Sequence, residues 1–290
     1  MTSDPRRPRR EVLAQAVVRL RDGGVQSPEH DAAELLAHTL GITRGALPLV
    51  DEVAADDHDR FLALIARRAA REPLQHLTGA AGFRHVELQV GPGVFVPRPE
   101  TELLAGWAID QAREIADLAG RAPVVVDLCT GSGAIARAVA DEVPAAEVHA
   151  VELDEAALVW AGRNLAGTGV DLRAGSMDDA FDDLAGTVDV VVCNPPYIPL
   201  EAWESVAPEA RDHDPHLALF SGDDGLDAIR VLQRRARLLL RPGGVVGAEH
   251  ADVQGESAPG VFLDAGGWSD VRDHRDLADR PRFLTARLAR

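Results

Sequence analysis

The sequence predicts an α/β protein in which an N-terminal helical bundle precedes a doubly wound parallel sheet. From Val124 onwards, short runs of β-branched residues alternate with helical segments, and this alternation is typical of parallel strands joined by crossover helices. Before residue 75 the apolar residues recur at helical spacing instead. The chain has 290 residues, 46% of them hydrophobic, which suggests one large domain together with a smaller one.

The composition narrows the classes of function. The net charge is −17 at pH 7, and proteins that bind duplex nucleic acid usually present a basic face, so no direct nucleic-acid partner is expected. The sequence contains no lysine, which excludes Schiff-base catalysis and the lysine of P-loop and kinase sites. The two cysteines, Cys129 and Cys193, lack metal-ligand spacing, so no metal is expected. Without a signal peptide or an apolar run of membrane-spanning length, the sequence predicts a cytoplasmic protein with no membrane contact.

Residues 1–75 are predicted to form a helical domain. Three apolar stripes carry this prediction, namely Val12, Val17, Val18 and Leu20, then residues 31–40, then Phe61, Leu62, Leu64 and Ile65. No catalytic cluster lies among them. The segment is therefore either a small packing bundle or a substrate-docking module, and the sequence leaves both open.

Residues 76–100 are predicted to form a β-hairpin linker. The two strands are placed in residues 82–90 and 94–96, around the turn sequence Gly91-Pro92-Gly93. The stiff segment Pro97-Arg98-Pro99 follows, and residues 100–102 open a helix. A linker does not need an arginine between two prolines, so Arg98 is a candidate for lining a site.

Residues 101–290 are predicted to form the sheet domain. Strands are expected at residues 124–128, 148–153, 170–173, 188–193, 244–248, 268–272 and 283–288, and helices at residues 134–143, 156–165 and 226–240. The last of these helices is expected to end at residues 241–244, where Arg-Pro-Gly-Gly stands.

A rigid polar motif ends the strand at residues 188–193. Asn194-Pro195-Pro196-Tyr197 cannot continue a β-ladder, because proline lacks the N–H and forces the preceding residue into extended geometry. The side-chain carbonyl of Asn194 and the main-chain carbonyl of Pro195 are fixed acceptors beside the flat ring of Tyr197. Two such acceptors suit a planar group that carries an NH2, such as a carboxamide or the exocyclic amine of a base. The motif therefore predicts the acceptor site of an amino-group methyltransferase.

A glycine-rich loop follows the strand at residues 124–128. Glycines let the backbone approach a ligand closely, and the helix that begins after Gly133 offers free N–H groups. Glu152, about 20 residues further on, can accept hydrogen bonds from ribose hydroxyls. These features fit either a dinucleotide or S-adenosylmethionine (SAM). Asp127 favours SAM, because a carboxylate balances a cationic donor and repels a pyrophosphate.

The order of the strands predicts that the two motifs meet. In a doubly wound sheet the first and fourth strands flank the switch point at which ligands bind, so the glycine loop and Asn194 should face one crevice. Cys129 and Cys193 should then be neighbours. Two small buried side chains explain that pair more simply than a redox role does.

These motifs together resemble the bacterial release factor glutamine methyltransferase family (the PrmC or HemK type), over nearly the whole chain. The segments that carry the resemblance are residues 24–38, 73–79, 96–102, 127–133, 194–197, 216–226 and 249–250. The resemblance implies a seven-stranded SAM-dependent methyltransferase domain (Rossmann-like) with one antiparallel strand, behind an N-terminal helical bundle and a β-hairpin linker. It implies N5-methylation of the glutamine in the Gly-Gly-Gln loop of class 1 peptide chain release factors. The alternative is a DNA or RNA exocyclic-amine methyltransferase, which shares the tetrapeptide.

Site residues carry over position by position. The resemblance assigns the SAM-binding residues as Cys129, Thr130, Gly131, Ser132, Gly133, Glu152, Met177 and Asn194, and the glutamine-binding residues as Asn194, Pro195, Pro196 and Tyr197. Cys129 stands where glycine is common, so the backbone there is expected to adopt a conformation that a side chain tolerates. Asn194, Pro195 and Tyr197 are the expected catalytic groups. No general base is assigned, since His85 and His250 fit structural roles better. A monomer is expected.

Overall fold

The computed structural model describes residues 6–290, apart from the side chain at position 205. The helices are α1 (Arg9–Asp22), α2 (Pro28–Leu40), α3 (Ala55–Ala69), α4 (Leu74–Thr78), α5 (Thr101–Ala119), α6 (Ala134–Glu142), α7 (Glu155–Leu165), α8 (Pro208–His213), α9 (Asp227–Leu239) and α10 (Ser257–Ala265). The strands are β1 (Arg7–Pro8), β2 (Glu52–Val53), β3 (Ala80–Phe83), β4 (Val86–Gln89), β5 (Val124–Leu128), β6 (Glu147–Glu152), β7 (Asp171–Ala174), β8 (Val188–Cys193), β9 (Leu240–Glu249), β10 (Trp268–Arg275) and β11 (Pro281–Leu288). Short 3-10 helices span Arg44–Leu49, Asp182–Leu184, Leu200–Ser205, His216–Ala218 and Asp252–Gln254.

The chain divides into two compact units. The first contains the residues up to Ala80 together with Ala207–His213, and the second contains Ala81–Val206 and Asp214–Arg290. The segment Ala207–His213, which includes α8, therefore belongs to the helical unit although it follows the fourth strand of the sheet in sequence.

The first unit is the predicted helical region. Helices α1, α2 and α3 pack around a core in which Leu20, Leu35, Phe61 and Ile65 are fully buried. The positions recur at helical spacing on each helix, which is why the sequence indicated three helices.

A buried ion cluster joins α8 to the other helices of this unit. Arg68 donates to Asp31 Oδ2 at 2.7 Å and to Glu209 Oε1 at 2.9 Å, and Arg71 donates to both carboxylate oxygens of Glu209. Burial alone would raise the pKa of Glu209, but the hydrogen bonds from Arg71 and Arg68 hold that pKa at about 2. Removing Arg68 would leave the buried carboxylate of Asp31 without this partner, which typically costs about 3–5 kcal/mol.

The β-hairpin exists, but its predicted turn is wrong. The strands are β3 and β4, and the connection is Arg84-His85 rather than Gly91-Pro92-Gly93. Arg84 adopts the left-handed φ of 52°, and its guanidinium forms a two-point ion pair with Glu142, at 2.5 and 2.9 Å. This pairing offsets a backbone conformation that a non-glycine residue seldom adopts.

The glycine-rich sequence after β4 has a packing role instead. A Cβ added at Gly91 would lie 2.7 Å from the indole ring of Trp160, and the Trp160 Nε1 donates to Pro92 O at 3.3 Å. Val94 and Val96 are fully buried but form no strand. Their apolar character thus reflects burial, which the sequence pattern could not distinguish from strand pairing.

The second unit is built on a seven-stranded sheet, as predicted. The strand order is β10-β11-β9-β8-β5-β6-β7, and β11 runs antiparallel to both of its neighbours. Strands β5, β6, β7, β8 and β9 pair in parallel. The first and fourth strands of this domain, β5 and β8, are adjacent, which places the predicted switch point between them.

Both faces of the sheet are covered, and this explains the continuous apolar runs of its strands. In β8, Val190 and Val192 face the cluster that includes α5, α6 and α7, whereas Val191 and Cys193 face the cluster that includes α9 and α10. A strand that is buried on both faces is apolar at most of its positions. Every residue of β8 is buried, Asp189 included.

The last third of the chain differs from the prediction in two places. Helix α9 ends at Leu239, next to the predicted end, but Arg241-Pro242-Gly243-Gly244 lies inside β9, which begins at Leu240 and not at Gly244. Helix α10 was not predicted, because its sequence contains Pro259 and Gly260 and has no strong helical stripe.

Candidate active site

The donor loop, residues 129–133, is held to the sheet by a buried carboxylate. Asp127, on β5, accepts from Thr130 Oγ1 at 2.6 Å and from the Ala136 N–H at 3.2 Å, both on Oδ2. Burial raises the pKa of Asp127 to about 7, against the effect of these two hydrogen bonds. The carboxylate therefore fixes the loop against the first turn of α6.

Glu152 closes the loop from the next strand. Its Oε2 accepts from the Gly131 N–H at 2.7 Å, and its Oε1 accepts from the Asp154 N–H at 2.8 Å. A carboxylate offers about four acceptor positions, so Glu152 can still accept a ligand hydroxyl beside these backbone N–H groups. Burial raises the pKa of Glu152, and the hydrogen bonds from these N–H groups act in the opposite direction.

Gly131 leaves an opening in the loop. Its φ is 57°, and a Cβ added there would meet no atom within 4 Å. At Gly133, by contrast, with φ 85°, a Cβ would lie 3.0 Å from Leu165. Ser132 is buried, and its carbonyl accepts from Asn164 at 2.8 Å. The backbone of the loop is thus fixed on its protein side and open at Gly131.

Cys129 does not adopt the conformation expected for a residue with a side chain. Its φ is 68°, in the left-handed region that glycine favours, so that expectation is wrong. Its Sγ lies 3.8 Å from Met177 Sδ, which places Met177 beside the start of the loop. Both cysteines are free, and Cys193 is fully buried with its thiol pKa raised by burial.

Asn194 leaves β8 with its side-chain amide tethered. Its Nδ2 donates to Thr101 Oγ1 at 3.2 Å, and Thr101 Oγ1 donates to Glu249 Oε2 at 2.7 Å. Tyr197 donates its hydroxyl to the other oxygen of Glu249 at 3.0 Å. Among the residues that the structure describes, no hydrogen bond reaches Asn194 Oδ1 or the carbonyl of Pro195. These are the two acceptors that the sequence predicted for an NH2 group.

The main chain at Tyr197 is held separately. Its carbonyl accepts from Gln254 Nε2 at 3.0 Å, and Gln254 is buried. A Cβ added at Gly225, whose φ is 75°, would lie 2.3 Å from the same carbonyl. The aromatic ring is therefore positioned from both its hydroxyl and its backbone.

The two motifs begin at the same level of the sheet. Leu128 and Cys193 are partners in the parallel pairing of β5 with β8, so Cys129 and Asn194 leave adjacent strands side by side. The structure thus brings together the donor loop and the tetrapeptide, which lie more than 60 positions apart in sequence.

Sequence reasoning did not single out three polar residues that contact the tetrapeptide, namely Thr101, Glu249 and Gln254. Thr101 and Glu249 stand within the segments that carried the family resemblance, but only the fold reveals that they share a hydrogen bond. Arg98, the candidate chosen in that region, instead pairs with the buried Asp214 at 2.6 Å.

The two histidines considered as general bases, His85 and His250, have other surroundings in the structure. His85 is exposed in the hairpin turn. His250 is fully buried, with Nδ1 2.8 Å from the Ala251 carbonyl and Nε2 3.0 Å from Asp273, and burial lowers its pKa.

Over residues 6–290, no group of three or more potential ligands could hold a metal ion, and no helix is both long and apolar enough to cross a membrane.

Two family models match the chain. Residues 11–79 match the PrmC N-terminal domain, and residues 111–208 match the methyltransferase small domain. A release factor glutamine methyltransferase from Streptomyces coelicolor is 61% identical over 277 residues, which cover 96% of this chain and 97% of the relative. A 4-amino-L-phenylalanine/4-methylamino-L-phenylalanine methyltransferase from Streptomyces pristinaespiralis is 41% identical, covering 89% of this chain and 88% of the relative.

Among solved structures, the hMettl16 catalytic domain in complex with a 3'UTR hairpin has a TM-score of 0.54 at 13% identity, covering 82% of this chain and 84% of that one. At that level of identity the likeness shows the fold alone.

Proposed function

The chain belongs to the release factor glutamine methyltransferase family, and on this premise we propose how its two motifs divide the reaction. The protein is a SAM-dependent methyltransferase that methylates a release-factor glutamine. The finer proposal is transfer to the side-chain nitrogen, N5, of the glutamine in the Gly-Gly-Gln motif of class 1 peptide chain release factors.

The donor is proposed to bind at Cys129, Thr130, Gly131, Ser132, Gly133, Glu152, Met177 and Asn194. Bound SAM supplies an electrophilic methyl group on a sulfonium. The open face of Gly131 supports close approach by a ligand, and the free lone pairs of Glu152 suit ribose hydroxyls. Met177, beside Cys129, offers an apolar surface for a flat ring.

The glutamine amide is proposed to bind at Asn194, Pro195, Pro196 and Tyr197. The observation that carries this proposal is the pair of free acceptors, Asn194 Oδ1 and the Pro195 carbonyl, next to the donor loop. An amide nitrogen is a poor nucleophile because its lone pair is delocalised. Accepting both of its N–H protons orients the nitrogen and raises its electron density, while Tyr197 excludes water. Positioning and electrostatics then supply most of the acceleration.

No side chain is proposed as a general base. The proton leaves the nitrogen for water after methyl transfer, since His85 is exposed in the hairpin turn and the ring of His250 is buried against Ala251 and Asp273. The helical domain, residues 1–75, is proposed to dock the protein substrate, with residues 76–100 as the linker and residues 101–290 as the methyltransferase domain.

We further propose a cytoplasmic monomer that needs no metal and contacts no nucleic acid. The net charge of −17 disfavours the DNA or RNA alternative.

Methyl transfer from labelled SAM to a purified class 1 release factor tests the proposal. The same factor with its loop glutamine changed to alanine, unmethylated duplex DNA and free 4-amino-L-phenylalanine are the parallel substrates. Label in the intact factor alone is expected. Label in DNA, or in the free amino acid but not the factor, would refute the assigned substrate while leaving the SAM fold intact.

A further inference from the structure

Glu249 is a buried carboxylate to which neither motif assigns a role. It is the last residue of β9 and is 1% exposed. Each of its oxygens accepts one hydroxyl, Oε2 from Thr101 at 2.7 Å and Oε1 from Tyr197 at 3.0 Å. An ionised carboxylate only accepts hydrogen bonds, so both hydroxyl hydrogens are directed at Glu249.

This direction determines how Thr101 meets Asn194. A hydroxyl has one hydrogen, and Thr101 uses its own on Glu249, so towards Asn194 it can only accept. The Asn194 Nδ2 lies 3.2 Å from Thr101 Oγ1 and supplies the required donor. The carbonyl of the amide, Oδ1, must then face away from Thr101. The orientation of an asparagine amide follows from its hydrogen-bond partners, and here those partners permit one orientation.

We propose that Glu249 and Thr101 are positioning residues that set the polarity of the acceptor site. Through them, Asn194 presents an oxygen and not an NH2 to the substrate. The inference rests on the proposed function of Asn194 as the amide acceptor. It adds a specificity element, because a site that presents an oxygen binds a carboxamide NH2 and repels the carboxylate that stands in its place in glutamate.

Three polar neighbours counteract the effect of burial on Glu249. Burial raises its pKa, whereas the hydrogen bonds from Thr101 and Tyr197 and the positive charge of Arg282 act in the opposite direction. Arg282 is itself held by Asp276 at 3.0 Å. Thr101, at the first position of α5, is 4% exposed, so water does not compete freely for its hydroxyl.

A matched pair of variants separates polarity from packing. Thr101→Val keeps the shape of the side chain and removes the hydroxyl, whereas Thr101→Ser keeps the hydroxyl. We expect Thr101→Val to lower kcat about 10–100-fold, because a partly buried donor on Asn194 and a buried acceptor on Glu249 both lose their partner. Thr101→Ser should stay within about threefold of the parent in kcat. The SAM affinity of both variants should change much less than kcat, since the donor loop and Glu152 are untouched and Asn194 is one donor contact among several. Equal kcat values for the two variants would refute the proposal.

A second measurement does not depend on the substrate. The chain has two asparagines, Asn164 and Asn194, so labelling asparagine side chains with 15N gives two NH2 groups in an NMR spectrum. Asn164, which donates to Gln89 O and Ser132 O, is the internal reference, and Asn194→Ala assigns the other signal. We expect the Asn194 protons to exchange with water at least about tenfold faster in Thr101→Val than in the parent or in Thr101→Ser.

The two measurements distinguish the possible failures. If the parent protein labels no release factor, the proposed function fails, and the exchange rates still decide whether Thr101 holds the Asn194 amide. If the parent labels the factor but Thr101→Val leaves both exchange and kcat unchanged, the positioning role is wrong and the proposed function stands. Glu249→Gln is a further test. The glutamine amide has one oxygen and one NH2 group, so its two terminal atoms cannot both accept hydrogen bonds, one from Thr101 and one from Tyr197. Full kcat in this variant would contradict the polarity argument.

Discussion

Leu128 and Cys193 are paired across adjacent parallel strands, and the residues that follow them begin the two halves of the site. Cys129 opens the donor loop and Asn194 opens the acceptor motif. The distance between the two motifs is thus set by the spacing of β5 and β8, about 4.8 Å for neighbouring strands. The sheet, which is buried on both faces, provides the rigidity that transfer between two bound groups requires.

Replacing Asn194 with alanine should slow the methyl transfer and leave much of the donor affinity. The variant loses one oriented acceptor for the substrate amide, and the removal of one such polar group typically costs about 10²–10³ in turnover. Turnover is measured with labelled SAM and a release factor, and donor affinity by calorimetry. Near-normal turnover would show that Asn194 does not act on the amide as proposed.

Replacing Gly131 with alanine should weaken donor binding. The left-handed φ of 57° costs an alanine about 1–2 kcal/mol, and the new methyl group projects into the open side of the loop. Gly162, in α7, is the matched control, because a Cβ there meets nothing within 4 Å and its φ is not positive. Gly162→Ala should leave donor affinity unchanged and raise the free energy of unfolding by about 0.5–1 kcal/mol. Calorimetry with SAM should therefore separate the two variants; equal affinities would place the donor elsewhere.

Replacing Gly225 with alanine should impair the acceptor side alone. The added Cβ would lie 2.3 Å from the Tyr197 carbonyl, so Tyr197 must move, together with its contact to Glu249. Gly260→Ala, in α10, is the control, since it adds a methyl group to open space. We expect Gly225→Ala to lose turnover by at least about tenfold at near-normal donor affinity, the reverse of the Gly131 result. If donor affinity fell and turnover at saturating SAM did not, Tyr197 would not be a substrate contact.

The sequence predicted most of the sheet domain, because strands that are buried on both faces consist of apolar runs with clear ends. The strand at Val188–Cys193 was predicted with its observed bounds for this reason. The hairpin turn was not, because it depends on a pairing between Arg84 and Glu142 that lie 58 positions apart. Local turn preference pointed to Gly91, whose lack of a side chain instead admits Trp160.

The candidate site likewise contains residues that the sequence predicted and residues that it did not. Donor and acceptor motifs are contiguous in sequence, so their chemistry could be predicted from residue types alone. Thr101 and Glu249 lie 148 positions apart and act on Asn194 only through the fold. Long-range hydrogen bonds between ordinary polar residues have no periodic signature, and so the residues that position the site were missed.

The contribution of Asp127 to the stability of the free protein should decrease as the pH rises from about 4 to about 7. Burial raises the pKa of Asp127 from 3.8 to about 7, so in this range the folded protein keeps a proton that the unfolded chain has released. Since the unfolded state then binds fewer protons, the free energy of unfolding decreases with pH, by up to about 1.4 kcal/mol per pH unit for one such group. The raised pKa of Glu152 adds a contribution of the same sign. In Asp127→Asn, the amide oxygen can replace Oδ2 and accept from Thr130 and Ala136. The NH2 group then replaces Oδ1, which has no hydrogen-bond partner. Denaturant unfolding of both proteins at several pH values should therefore give a shallower slope for the variant. Glu152, Asp214 and Glu249, whose pKa values burial also raises, contribute to the slope that remains. An unchanged slope would mean that Asp127 is ionised throughout this range.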